Sequence, residues 1–221
     1  MIRIPIFPLP NVVFFPKVSL PLHVFETRYR QMVRHALASD LPIAVVLLKP
    51  GWEQAYYGAP AIHPIATMTR ILGHEELSDG RYNILLDGIE RVRLQEESWG
   101  ASDAAILYRR AWAISLPEKP ITAAIEMAAT HRRLERMAGE LFREQSSRQM
   151  PTFPSDPPFE VLVNFLATYV DIPCDRKQAL LEEDDLLLRG LALEKLLQER
   201  MFYWRSLRRF RNLMPSDPRL N

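Results

Sequence analysis

The sequence is poor in cysteine, with Cys174 alone among 221 residues. A single thiol excludes an intramolecular disulfide and any zinc or iron–sulfur site built from several cysteines. The five histidines show no paired-ligand spacing, and neither a cysteine-hydrolase signature nor a G-x-S-x-G motif is present. We therefore predict no metal, no cofactor and no catalytic residue.

Excess charge of one sign and long apolar runs are also lacking. The 28 basic and 27 acidic residues leave a net charge of +1, so no overall field favours nucleic acid or an anionic membrane. No stretch approaches 18 consecutive apolar residues, and the first residues have no signal-peptide core. These features predict a cytoplasmic protein with no membrane partner.

Glycine is scarce and proline abundant, at 8 and 18 residues, in a chain with the 48% hydrophobic and 25% charged composition of an ordinary globular protein. The patterning changes near residue 116, from short apolar runs between turn signals to long stretches of helical periodicity. We predict a β-rich subdomain over 1–116 and an α-helical subdomain over 117–221.

The first part predicts a partly closed barrel around one helix. Residues 2–6 have the pattern of an edge strand that carries Pro5, and residues 25–38 have that of the helix. An Asp79-Gly80 pair predicts a hairpin turn, and Gly88 predicts a bulge. The other predicted strands cover 18–24, 43–48, 61–77, 82–86 with a resumed stretch over 89–97 after Gly88, and 104–114.

The second part predicts a helical bundle. Helices are expected over 121–141, after an N-cap at Asp156, and over 175–181. A long last helix over 184–212 carries acidic residues at its start and arginines at its end, which complements the helix dipole.

Five ordered motifs resemble the N-terminal domain of the ATP-dependent Lon protease, with a looser sixth over 182–197. They are IPIFPLPNVVFFP (4–16), LPLHVFETRYR (20–30), GAPAI (58–62), DGR (79–81) and GIERVR (88–93). The resemblance implies an α+β fold, with a PUA-like β pseudo-barrel and one packed helix followed by a C-terminal helical bundle. It also implies that the motif residues are structural: Pro21, Glu26, Arg28, Tyr29, Gly58, Asp79, Gly80 and Gly88.

The same resemblance implies substrate recognition. No G-x-x-x-x-G-K-[ST] loop is present, and the chain is too short for an ATPase and a protease module, so we expect a free-standing, non-catalytic domain. The implied partner is unfolded or partly folded polypeptide in protein quality control, with a separate protease or chaperone as an additional candidate.

Two apolar segments are candidates for peptide contact. One is the proline-bounded segment with Phe14, Phe15 and Leu22, which forms a binding patch if it protrudes and ordinary core if it does not. The other is the aromatic loop of Trp52, Tyr56 and Tyr57, whose rings offer contact area at low entropic cost.

Two charged features have alternative interpretations. Glu26 and Arg28 either meet a ligand or, as we favour, fix the docking of the helix on the barrel through hydrogen bonds. The arginine-rich end of the last helix is either a solvated face or an RNA-binding patch, the latter being the alternative function. Its arginines are Arg205, Arg208, Arg209 and Arg211.

Overall fold

The computed structural model describes residues 1–98, 105–144 and 156–213, with side chains over 1–95, 105–141 and 156–206. Within these ranges one sheet contains six strands. They are β1 (Ile2–Leu9), β2 (Ser19–Val24), β3 (Ile43–Leu47), β4 (Ile65–Glu76), β5 (Tyr82–Ser98) and β6 (Arg110–Leu116). The helices are α1 (Thr27–Ser39), α2 (Ala124–Glu144), α3 (Phe159–Tyr169), α4 (Cys174–Glu182) and α5 (Leu186–Leu213).

The sheet closes on itself. Its strand order is β2-β5-β4-β3-β1-β6, and β6 returns to pair with β5. The 17 residues of β5 make this possible, because their first part pairs with β2 and their second part with β6. The predicted barrel and α+β class are confirmed, and β2 extends the barrel wall as a sixth strand.

The prediction that β1 is an edge strand is wrong. Ile2–Pro5 pairs with β6 in antiparallel register, and Ile6–Leu9 pairs with β3 in parallel register. Pro5 is tolerated because it is the last residue paired with β6 and lies just before the pairing with β3 begins at Ile6, so its missing N–H interrupts no pairing with β3.

The glycines of the motifs sit where other motif segments pass closely. Gly80 adopts φ +76° in the predicted β4–β5 hairpin turn, and a Cβ there would lie 2.1 Å from Nη2 of Arg30. Gly88 adjoins the predicted bulge, and its Cβ would lie 2.5 Å from the carbonyl oxygen of Phe15. The hairpin and bulge predictions are therefore confirmed, and these two glycines join motifs that are distant in sequence.

The helices begin close to where their patterns predict. The proposed Asp156 cap of α3 is wrong, because Pro158 is the N-cap residue and no side chain caps the helix. Asp185 caps α5 instead, since its Oδ1 accepts hydrogen bonds from the N–H groups of Leu187 (2.8 Å) and Leu188 (3.1 Å). No helix of the described residues combines the length and apolar character needed to cross a membrane.

The barrel and the helical bundle share a hydrophobic core. Phe15 and Ile65 of the β-rich part pack in one cluster with Leu134, Leu162 and Leu193 of the helices. The last strand ends at Leu116 and α2 begins at Ala124, on either side of the predicted division. We name this contact between the barrel and the helical bundle the seam. Burial of its apolar side chains stabilises the packing of the helices on the barrel.

Two buried arginines reinforce that seam in what we name the arginine clasp, formed by Arg91, Arg189, Glu118 and Asp184. Glu118 accepts hydrogen bonds from Arg91 Nε (3.0 Å) and from Arg189 Nη1 (3.0 Å) and Nη2 (3.1 Å). Arg91 Nη1 also reaches Asp184 at 3.2 Å. Because burial lowers the pKa of Arg189, the adjacent Glu118 carboxylate is needed to offset the cost of the charge.

Candidate functional site

The proline-bounded N-terminal segment is core, the second of the two alternatives that the sequence left open, so Phe14 and Phe15 are wrong as candidates for peptide contact. The exposed fractions of Phe14 and Phe15 are 1% and 0%. Phe14 packs in the cluster under α1, and Phe15 packs against the helical bundle. Asn164 of α3 covers the segment, since its Nδ2 donates to the carbonyl oxygen of Pro16 at 3.1 Å. These two rings are therefore not available for peptide contact.

The aromatic loop is at the surface. A short 3₁₀ turn over Trp52–Ala55 is closed by a hydrogen bond from the Gly58 N–H to the Ala55 carbonyl oxygen at 2.8 Å. The Trp52 and Tyr56 rings are half-buried and meet edge to face with centroids 5.4 Å apart. Tyr57 is 87% exposed, so only this ring projects freely from the loop.

Glu26 and Arg28 hold the aromatic loop on the first turn of α1. Arg28 Nε donates to Glu26 Oε2 at 3.0 Å, and Arg28 Nη1 donates to the Tyr56 carbonyl oxygen at 3.1 Å. The Tyr56 hydroxyl donates to Glu26 Oε1 at 2.5 Å, and burial together with this hydrogen bond raises the pKa of Tyr56. Arg28 Nη2 lies 3.0 Å from Glu26 Oε2 as an ion pair but makes no hydrogen bond to the described residues, and the hydrogen bonds of the pair position a loop rather than the helix on the barrel.

A second surface feature lies on the outer face of β2, β5 and β4, where paired residues form three parallel rows. The central row is apolar and consists of Pro21, Leu85 and Gly73. Polar rows flank it on both sides. One contains Ser19, Asp87 and Arg70, and the other contains His23, Asn83 and Glu75. We name this surface the sheet trough.

The central row is open above Gly73. A Cβ added to Gly73 would meet no atom within 4 Å, and the neighbouring Leu85 is 38% exposed. The cavity here has a volume of about 430 Å³ and is lined by Pro21, Leu22 and Leu85 among others. Of the six residues predicted to contact peptide, Leu22 lines this cavity, but it also packs against the core cluster under α1.

Hydrogen bonds order one polar row of the sheet trough, the row of His23, Asn83 and Glu75. Arg81 Nη1 can only donate, so its 3.2 Å contact makes His23 Nε2 an acceptor. His23 Nδ1–H then donates to Asn83 Oδ1 at 2.8 Å, and Asn83 Nδ2 donates to Glu75 Oε2 at 2.9 Å. This row therefore ends at the Glu75 carboxylate, of which Oε2 accepts the hydrogen bond from Asn83.

The outer edge of β2 offers few backbone donors. The Tyr169 hydroxyl donates to the Ser19 carbonyl oxygen, so the backbone groups of Ser19 point away from β5. Pro21, two residues later, points the same way and has no N–H. Its place in the family motif fits this protection of an edge strand. This edge therefore has little capacity to donate backbone hydrogen bonds to another strand.

The basic end of α5 is only partly within the described side chains. Arg205 Nη2 lies 2.7 Å from Glu140 Oε2, so its charge is paired with α2. The side chains of Arg208, Arg209 and Arg211 lie outside the described residues. Phe202 and Tyr203, earlier on α5, are exposed.

Sequence reasoning missed Gly73 and Leu85 as surface residues of interest. The hairpin signal at Asp79-Gly80 pairs β4 with β5, but the bulge at Leu72 decides which residues of β4 share a face with Leu85. No local sequence pattern predicts that register, so sequence reasoning could not distinguish these two residues from other strand residues.

Comparison with known proteins gives a consistent result. Residues 3–199 match the family model of the ATP-dependent protease La (LON) substrate-binding domain. Over 206 residues the chain is 29% identical to Lon protease 2 of Myxococcus xanthus, covering 89% of this chain and 24% of that protein. It is 26% identical to the Lon protease of Anaeromyxobacter dehalogenans, with 89% and 23% covered. The chain thus spans about a quarter of the length of these relatives.

Solved structures share the fold. The N-terminal domain of Mycobacterium avium complex Lon protease superposes with a TM-score of 0.67 at 13% identity, covering 89% of this chain and 98% of that one. A Lon N-terminal domain protein from Xanthomonas campestris superposes with a TM-score of 0.55 at 22% identity, covering 92% and 99%.

Proposed function

Because the chain belongs to the family of Lon substrate-binding domains, we propose that it binds unfolded or partly folded polypeptide in the sheet trough and catalyses no reaction itself. The family supplies the class of ligand, and the trough supplies a surface with the matching chemistry. An apolar strip rimmed by polar residues is the kind of surface that takes an apolar segment of another chain.

One observation carries the proposal, namely the open apolar row over Gly73 and Leu85. Leu85 keeps part of its surface in water although it lies in the middle strand of three, because Gly73 beside it contributes no side chain. Covering that leucine with a partner's apolar side chain removes hydrocarbon surface from water, which is favourable at about 25 cal/mol per Å².

Tyr57 is proposed as a second contact. Its ring is exposed on a loop that Glu26 and Arg28 already hold in place, so little ordering cost remains when it meets a ligand. Phe14 and Phe15 are excluded from the binding surface by their burial.

The proposal is tested by titrating the protein into a fluorescently labelled, permanently unfolded protein and measuring anisotropy. Leu85→Asp places a charge in the trough and is expected to weaken binding at least tenfold. Leu188→Asp is the matched control, since Leu188 is a leucine of α5 with 52% exposure and does not line the trough. Equal binding by wild type and Leu85→Asp removes the trough from the proposal, and no binding by the wild type removes the function.

The RNA-binding alternative is not proposed. The comparisons do not support it, and Arg205 is already paired with Glu140.

A further inference from the structure

We propose that the sheet trough selects extended polypeptide in which a large apolar residue and a basic residue stand two positions apart. This inference rests on the proposed function and adds a sequence preference to it. The apolar side chain occupies the opening above Gly73, and the basic side chain pairs with Glu75.

The geometry of β4 sets the spacing between the apolar and the basic residue of the bound polypeptide. Gly73 and Glu75 are two residues apart on β4 and share the outer face, which places them about 6.8 Å apart along the strand. An extended polypeptide also presents every second side chain on the same side with about that spacing. A chain lying along β4 therefore brings residues i and i+2 over Gly73 and Glu75 together, while the residue between them points to solvent.

The charges around the trough decide that the second selected residue is basic rather than acidic. Arg70 is paired with Asp87 at 3.1 Å, and Arg81 is paired with Asp79 at 2.6 Å. Glu75 and its neighbour Glu76 have no cationic partner among the residues that the structure describes. The unbalanced charge at this end of the trough is negative, so a lysine or arginine is attracted there and an aspartate or glutamate is repelled.

The opening sets the size of the apolar residue. The space beside Leu85 exists because Gly73 has no side chain and no other atom fills its place. A leucine or phenylalanine can therefore lie against Leu85 and the Gly73 backbone. The missing donor of Pro21 disfavours pairing along β2, which leaves side-chain selection as the source of specificity.

The test uses three fluorescein-labelled peptides of 12 residues in serine-rich sequence, measured by anisotropy at pH 7.5. The first contains two Leu-Ser-Lys units, each followed by Ser-Ser-Ser. The second replaces each lysine by glutamate, and the third has the composition of the first with two Leu-Lys pairs, each followed by four serines. We expect the first peptide to bind roughly tenfold more tightly than the second and about two- to fivefold more tightly than the third, with both differences shrinking as salt is raised.

Two variants assign the preference to the trough. Glu75→Gln is expected to lose about two- to fivefold in affinity for the lysine peptide and nothing for the glutamate peptide, as for an exposed ion pair. Gly73→Val fills the opening and is expected to lose roughly tenfold for every leucine peptide. Thermal unfolding checks that Gly73→Val folds, which the free space at this site favours.

The outcomes separate this inference from the proposed function. Equal binding of the three peptides, or wild-type binding by Gly73→Val, overturns the preference. If the wild type binds the unfolded protein but none of the peptides, the preference is overturned and the proposed function stands. If it binds neither, both are wrong.

Discussion

Removing the carboxylate of Glu118 is expected to destabilise the protein strongly, because two buried arginines depend on it. The side chains of Arg91 and Arg189 are 1% and 0% exposed, and both donate to Glu118. In Glu118→Gln three charge-assisted hydrogen bonds lose their ionic partner, and Asp184 remains as the acidic side chain paired with Arg91. Breaking a buried pair from one side costs about 3–5 kcal/mol.

The lower end of that range applies here, because Glu118 keeps 22% of its side-chain surface in water, which can replace part of the lost interaction. A loss of about 3 kcal/mol corresponds to a fall in Tm of about 6–12 °C for a chain of this size. The measurement is urea unfolding followed by circular dichroism. The control is Glu140→Gln, whose partner Arg205 lies at the surface and whose loss should cost under about 1 kcal/mol.

A second variant tests the mechanism rather than the size of the effect. Glu118→Gln combined with Arg189→Met removes both partners of the main pair, so it should lose less stability than the two single changes added together. If Glu118→Gln is as mild as Glu140→Gln, the arginine clasp does not hold the helices on the barrel and the reasoning is refuted.

Two further predictions concern the barrel. Gly88→Ala should lower the free energy of unfolding by about 2 kcal/mol or more, since its Cβ would lie 2.5 Å from a backbone oxygen of Phe15. Gly73→Ala is the control and should change the free energy of unfolding in urea by under about 0.5 kcal/mol. Similar losses for both variants contradict the packing argument. Burial raises the pKa of Tyr29 above its ordinary value of 10.0, so its stabilising contribution is complete below pH 10 and is lost as the pH rises further, by up to about 1.4 kcal/mol per pH unit. Tyr29→Phe should flatten the decline in the free energy of unfolding between pH 9 and 11. An unchanged slope would contradict the raised pKa of Tyr29.

Much of the fold follows from local signals that sequence reasoning can detect. The Asp79-Gly80 turn, the fully apolar β3 and the long last helix were predicted because backbone dihedral preferences and side-chain periodicity act over a few residues. The Lon-like motifs added the family, and two of their glycines, Gly80 and Gly88, lie at points where motif segments touch.

The sequence by itself therefore determined the element types and the family, whereas the tertiary structure decided which apolar residues meet solvent. Phe14 and Phe15 are covered by segments far along the chain, and Tyr56 reaches Glu26 across 30 positions. The sheet trough depends on strand register, in which a shift of one residue turns every side chain to the opposite face. Register is set by the closure of the whole barrel, so no short stretch of sequence could reveal that Gly73 and Leu85 form a surface.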